Sequence, residues 1–136
     1  MIHPLAAAAL TAGVLVVWTA ALALNVSRLR IRDRVGVATK ETPAHIHRAV
    51  RAHGNAAEHV PILLAGVFAM AVEDFDGRWV LAAGIAAIVS RIAHGVGMLT
   101  DIKVIRIRFY ATILTYSTMF VTGIAATVSA VLNVCR

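Results

Sequence analysis

The chain has 136 residues, of which 60% are hydrophobic, and a mean hydropathy of +0.80. This composition is more apolar than the core of a soluble domain of this size requires, which excludes an ordinary soluble protein. The net charge of +6 does not indicate nucleic acid, because the basic residues stand beside apolar segments with few aromatic residues near them, a pattern that favours contact with membrane lipids.

Four apolar segments predict four membrane-spanning helices, since about 20 apolar residues in a helix cross a hydrocarbon layer of about 30 Å. The predicted spans cover residues 5–26, 45–72, 79–99 and 106–134. Together they predict an all-α integral membrane protein, in which a four-transmembrane-helix bundle forms one domain over residues 1–136.

The first span is almost uncharged, and Ala21-Leu22-Ala23 resembles a signal-peptide cleavage site. No positive segment precedes the span, and its apolar run is longer than that of an ordinary signal peptide, so we expect a membrane anchor. A basic loop is predicted over residues 27–44, with Arg28 and Arg30 at the end of the span.

The second span begins with a charged segment and becomes apolar toward its end. Four polar residues lie within about 80° of one another on this helix: Arg48, Arg51, Asn55 and Glu58. Ionisable groups at the edge of an apolar run usually face a bundle interior or a cavity, which indicates a site. The alternative is a solvated interfacial turn in which arginine and glutamate pair with one another. Pro61 predicts a kink or a locally freed carbonyl.

An acidic turn at residues 73–77 precedes the third span, in which Arg91 and His94 share one helix face. These two residues either join the same site or belong to the core. In the second case Glu58 is the expected partner of Arg91, and His94 is an ordinary buried histidine. A further turn is predicted at residues 100–103.

Arg106 and Arg108 open the fourth span two residues apart, so they lie on different faces of the helix. We expect one of them to face a shared cavity and the other to reach the lipid headgroups. The residues alone do not choose between the two. A threonine-rich face further along the span suits packing against other helices. It comprises Thr112, Thr115, Thr118 and Thr122.

The distribution of lysine and arginine predicts the orientation of the spans. Seven lie in the first loop and the start of span two, three in the third loop and the start of span four, and one in the middle turn. The positive-inside rule therefore places loops one and three in the cytoplasm and both termini outside. A bacterial inner membrane is the expected location.

The polar residues fit a small anionic ligand with one amine. Arginines bind carboxylates through two parallel hydrogen bonds, Glu58 suits an ammonium group, and Asn55 suits peptide groups. Glutathione has this chemistry, and a cationic site favours the thiolate form of a bound thiol, which is the nucleophile. The apolar spans would supply a lipophilic substrate from the bilayer. Neither a disulfide at the single Cys135 nor a metal site beside the arginines is expected.

The pattern Arg48-x-x-Arg51-Ala-His-x-Asn55-x-x-Glu58, followed by an apolar span with an early proline, resembles the signature of the MAPEG family. These are the membrane-associated proteins in eicosanoid and glutathione metabolism, and the similarity is to bacterial-type members of the microsomal glutathione transferase kind. The segments Ser27-Arg28-Leu29-Arg30 and Arg91-Ile92-Ala93-His94 are similar to the same family, as are the length and the four-span layout.

The resemblance implies a homotrimer with glutathione as cosubstrate between neighbouring subunits, and transferase activity, with peroxidase activity as a further expectation. The implied glutathione-binding residues are Arg28, Arg48, Arg51, Asn55, Glu58, Arg91 and His94, and Arg106 or Arg108 would stabilise the thiolate. Met98 occupies the position of a tyrosine usual in the family, so one glutathione contact is missing or replaced.

Two alternatives stand beside the transferase. One is a MAPEG-like binding or scaffold protein that has lost catalysis, and the Met98 replacement suits it. The other is a small four-span transporter, which would be expected to carry its essential acid inside span one, where this sequence has none.

Overall fold

The backbone is helical along almost all of its described length. The computed structural model describes residues 2–37, 39–100 and 105–135, which form four helices. They are α1 (Pro4–Asp33), α2 (Ala44–Val72), α3 (Gly77–Leu99) and α4 (Ile105–Val134). Each is long and apolar enough to cross a membrane, as predicted. The chain is therefore a multi-pass integral membrane protein, in which helices satisfy the backbone hydrogen bonds that lipid cannot.

The first helix is longer than the sequence indicates. The loop predicted from residue 27 is wrong for residues 27–33, because α1 continues to Asp33. Charge alone does not end a helix. Arginine and leucine are good helix formers, and basic residues are favourable near a helix C-terminus. Leu29 is buried against Ile46 and Ala49 of α2, which holds the extension on the bundle.

The second helix is polar in its first half and apolar in its second. The second half supplies the buried side chains Leu63, Val67 and Met70. The helix runs unbroken through Pro61, which has no N–H to offer the carbonyl of Ala57. The polar half of α2 lies at the end of the bundle where α1 ends and α4 begins.

The third helix begins directly after the acidic turn. The Asp76 carboxylate caps it by accepting a hydrogen bond from the backbone N–H of Arg78 at 2.8 Å. The Arg78 guanidinium donates to the same carboxylate, also at 2.8 Å, and lowers the pKa of Asp76 to about 2. Of the turn predicted at residues 100–103, only Thr100 lies within the described residues.

Small residues bring the four helices close together. Both α2 and α3 contact each of the other three helices, with α1 and α4 at opposite corners. Gly84 of α3 faces the hydroxyl group of Thr11 on α1, and Gly66 of α2 faces Thr122 on α4, leaving no room for a Cβ at either glycine. Such close approach provides the van der Waals contact on which helix association in lipid depends.

The predicted threonine face of α4 packs inward along most of its length. Thr115, Thr118 and Thr122 are buried, and each hydroxyl donates to the carbonyl four residues earlier at 2.7 to 2.8 Å. These local bonds satisfy the hydroxyl groups without a partner on another helix. Thr112 is half-buried and lies at a cavity instead.

Candidate functional site

A cavity of about 560 Å³ lies between the polar half of α2, the last turns of α3 and the start of α4. Its lining residues are Arg51, Gly54, Asn55 and Glu58 from α2, His94 and Met98 from α3, and Ile105, Arg108, Phe109 and Thr112 from α4. Polar groups predicted separately on three spans therefore meet at one place.

The second helix contributes three polar residues to the lining, more than either other helix. Arg51, Gly54, Asn55 and Glu58 follow the spacing of one helix face, at steps of three and four residues. Arg51 and Glu58 are exposed within the single chain. Among the described residues, neither has a hydrogen bond or ion pair, so the alternative in which they pair with each other is absent there. Both charges are open to a ligand.

The third helix contributes two residues to the cavity wall and another behind it. His94 and Met98 line the cavity. Arg91, only 3% exposed, donates from Nη1 to Oδ1 of Asn55 at 2.9 Å. No ion pair joins Arg91 to Glu58 in the described part of the chain, so the alternative in which Glu58 is the partner of Arg91 is wrong. Arg91 is buried behind Asn55, whereas Glu58 lies at the exposed side of the cavity.

The fourth helix resolves the choice between its two arginines. Arg108 lines the cavity, whereas Arg106 is exposed elsewhere on the helix. Arg108 lies against α3 at Gly97, where an added Cβ would stand 2.7 Å from the Arg108 Cγ. The Thr112 hydroxyl donates to the Arg108 carbonyl at 2.8 Å, which leaves the hydroxyl oxygen as an acceptor beside the cavity.

Four predicted site residues are not among the lining residues of the cavity in the single chain: Arg28, Arg48, Arg91 and Arg106. Arg28 is exposed near the end of α1, a helix that contributes nothing to the lining. Arg48 is half-buried one turn before Arg51. The predicted part of Arg28 and Arg48 in glutathione binding stays a prediction.

A histidine behind the cavity holds the α2 backbone at Asn55. The His59 Nδ1–H donates to the Asn55 carbonyl at 2.9 Å, and the His59 ring packs on Tyr116 with ring centroids 5.8 Å apart. The other tyrosine, Tyr110, packs on Phe109 instead. Neither tyrosine is among the lining residues, so neither replaces the phenol missing at position 98.

Four lining residues were not predicted from the sequence: Gly54, Ile105, Phe109 and Thr112. The spacing along α4 contains a signal for three of them, Ile105, Phe109 and Thr112. Residues 105, 108, 109 and 112 repeat the intervals of residues 51, 54, 55 and 58, so each set forms one helix face. Two of the missed residues, Ile105 and Phe109, join Met98 as the apolar side chains of the lining.

Comparison with protein-family models identifies a family for this chain. The model of the MAPEG family matches residues 8–128, a range that contains every residue lining the cavity. No curated protein sequence is significantly similar to the chain.

Proposed function

The chain belongs to the MAPEG family, and from this premise we propose that it is a membrane-bound glutathione transferase that also reduces peroxides. It binds glutathione in the cavity, holds its sulfur as the thiolate, and conjugates it to lipophilic electrophiles. One observation carries the proposal: Arg51, Arg108 and the carboxylate of Glu58 come from two helices and surround one cavity.

The charges of the cavity complement those of glutathione. Arg51 and Arg108 offer guanidinium donors, which suit carboxylates and a thiolate because their charge persists at any relevant pH. Glu58 is the one carboxylate among the described lining residues, and it suits the ammonium group of the ligand. A site with two fixed cations and one anion favours a ligand of net negative charge that carries a single amine.

The size and the apolar wall of the cavity suit a tripeptide beside an apolar second substrate. About 560 Å³ falls within the range of roughly 300–1,000 Å³ that small-molecule sites occupy. Met98, Ile105 and Phe109 offer apolar contact from α3 and α4, whereas Glu58 belongs to α2. Because the surrounding helices lie in lipid, an electrophile dissolved in the bilayer reaches this wall without crossing water.

Arg108 is the group we assign to the thiolate. An opposite charge within about 4–6 Å favours the thiolate over the thiol. The sulfur then forms a bond to the electrophilic carbon. In a displacement, the leaving group departs with the bonding electron pair. In an addition to an activated double bond, the π electron pair of that bond moves to the neighbouring carbon, which takes a proton from water.

Peroxide reduction would use the same thiolate. The thiolate sulfur attacks the terminal oxygen of a lipid hydroperoxide, the O–O bond breaks, and the alkoxide leaves as the alcohol after taking a proton from water. The first glutathione is left as a sulfenic acid, and the sulfur of a second glutathione displaces its hydroxyl group as water to form the disulfide. The protein's part in both reactions is to bind the thiol and stabilise its charge.

We further propose a homotrimer in a bacterial inner membrane, with the cavity at the cytoplasmic face. Arg51 and Glu58 are exposed in the single chain, as expected for groups that line an interface between subunits. A neighbouring subunit is also the means by which Arg28 would reach bound glutathione. Cross-linking of the detergent-purified protein, followed by mass measurement, tests the number of subunits.

The first test is the ultraviolet absorption of the thiolate when glutathione is added to the detergent-purified protein at neutral pH. Glu58→Gln and Arg51→Ala serve as variants that remove one charge each. A thiolate signal in the wild type that is lost in both variants supports the proposal. A folded wild-type protein without any signal overturns it.

A catalytically silent glutathione-binding or scaffold protein is the second candidate, and Met98 favours it, because the cavity lacks the phenol usual at this position. The two candidates differ in turnover. Conjugation of an activated aryl chloride, or reduction of an alkyl hydroperoxide, identifies the enzyme. Glutathione binding without either reaction identifies the silent protein.

A further inference from the structure

The Asn55 side chain connects the cavity to a buried arginine behind it. Asn55 lines the cavity, whereas Arg91 does not. Arg91 is 3% exposed and donates from Nη1 to the Asn55 Oδ1 at 2.9 Å. Arg91 contacts a lining residue but does not line the cavity, so the contact through which it can act on a ligand is the one with Asn55.

The chemistry of arginine determines which way the Asn55 amide points. A guanidinium group has donors only, so the atom of Asn55 that faces Arg91 is the carbonyl oxygen. The amino group, with its two N–H donors, is then left for the cavity. The backbone of Asn55 is held as well, since its carbonyl accepts from the His59 Nδ1–H at 2.9 Å.

We infer that Arg91 is a positioning residue that orients the Asn55 amide, so that Asn55 holds a hydrogen-bond acceptor of glutathione. The inference rests on the proposed function. It assigns a carbonyl or carboxylate oxygen of the tripeptide to Asn55 and leaves Glu58 as the acceptor for the ammonium group. Arg91 itself does not touch the ligand.

A purely structural role for Arg91 makes a different prediction. A buried guanidinium that only fills the core would alter stability when replaced, but its effect on glutathione would not depend on Asn55. A positioning residue loses its effect on binding once the residue that it orients is removed. The two roles therefore differ in the coupling between Arg91 and Asn55.

The test is a double-mutant cycle with Arg91→Met and Asn55→Ala, measuring the Kd of glutathione for the detergent-purified protein. We expect Arg91→Met to raise the Kd about tenfold with Asn55 present, and less than about twofold in the Asn55→Ala background. Arg91→Lys, which retains a donor, is expected to recover part of the affinity. Equal penalties in both backgrounds would show that Arg91 does not act through Asn55, and would overturn the inference.

Asn55→Asp keeps the test decisive if Arg91→Met does not fold. It retains an oxygen for Arg91 and removes both N–H donors, so we expect a Tm no lower than that of the wild type and a Kd raised at least about tenfold. Asn55→Ala should lower both Tm and affinity. If Asn55→Asp binds glutathione with wild-type affinity, the inference is overturned and the proposed function is not. If the wild-type protein binds no glutathione, the proposed function is overturned.

Discussion

The Arg108 side chain crosses α3 directly over Gly97, where an added Cβ would lie 2.7 Å from the Arg108 Cγ. This distance is shorter than van der Waals contact between carbon atoms. Arg108 is the cation assigned to the thiolate, so the missing side chain at Gly97 determines where that charge stands in the cavity.

Gly97→Ala is therefore expected to reduce catalysis while leaving the helices intact. Arg108 must shift, and a displacement of about 1 Å at a reacting centre costs up to about a hundredfold in rate. The conjugation rate with an activated aryl chloride measures the effect. Gly123→Ala is the matched control, since its added Cβ meets no atom within 4 Å. A wild-type rate in Gly97→Ala would contradict this account of Arg108.

The two arginines at the start of α4 should differ sharply in their effect. Arg108→Gln removes a charge from the cavity lining, and we expect it to lower the conjugation rate about a hundredfold. Arg106→Gln makes the same chemical change at an exposed position and should leave the rate within about twofold of the wild type. Similar losses in both variants would contradict this assignment and would place Arg106 at the site as well, for example at the cavity of a neighbouring subunit.

Met98→Tyr is expected to tighten glutathione binding. Met98 lines the cavity, and a phenol there restores the hydrogen-bonding group usual in the family. One hydrogen bond contributes about 1 kcal/mol, which corresponds to about fivefold in Kd. Met98→Phe is the matched control, because it adds the ring without the hydroxyl group. If both variants changed the Kd equally, the effect would come from the ring and not from a hydrogen bond.

The capping pair at the start of α3 predicts a pH dependence of stability. Arg78 lowers the pKa of Asp76 from the ordinary 3.8 to about 2. The stabilisation from the charged Asp76 carboxylate is therefore complete above the ordinary pKa of 3.8 and disappears as the pH falls through about 2. Asp76→Asn keeps the capping oxygen without the charge. We expect its Tm to lie slightly below that of the wild type near neutral pH, and the difference to vanish near pH 2. A difference of constant size over this range would exclude the charge as its cause.

The spans were predictable from the sequence because lipid imposes a simple requirement on length and hydropathy. The end of α1 was not, since the segment after residue 26 is charged but remains a good helix former. Its continuation to Asp33 depends on the contact of Leu29 with Ile46 and Ala49, which lie on another helix. Tertiary packing therefore decided this boundary.

The candidate site was also predictable from the sequence only in part. Helical periodicity places Arg51, Asn55 and Glu58 on one face, so the sequence by itself determined the polar stripe and the residue types within it. Periodicity also separates Arg106 from Arg108, but it does not state which of the two faces meets a neighbouring helix.

Only the tertiary structure decided that Arg108 lines the cavity and that Arg91 bonds to Asn55 and not to Glu58. Both outcomes depend on the rotation of each helix about its axis. That rotation is determined by contacts between helices, such as those at Gly97 and Gly84, which bring together residues far apart in the chain.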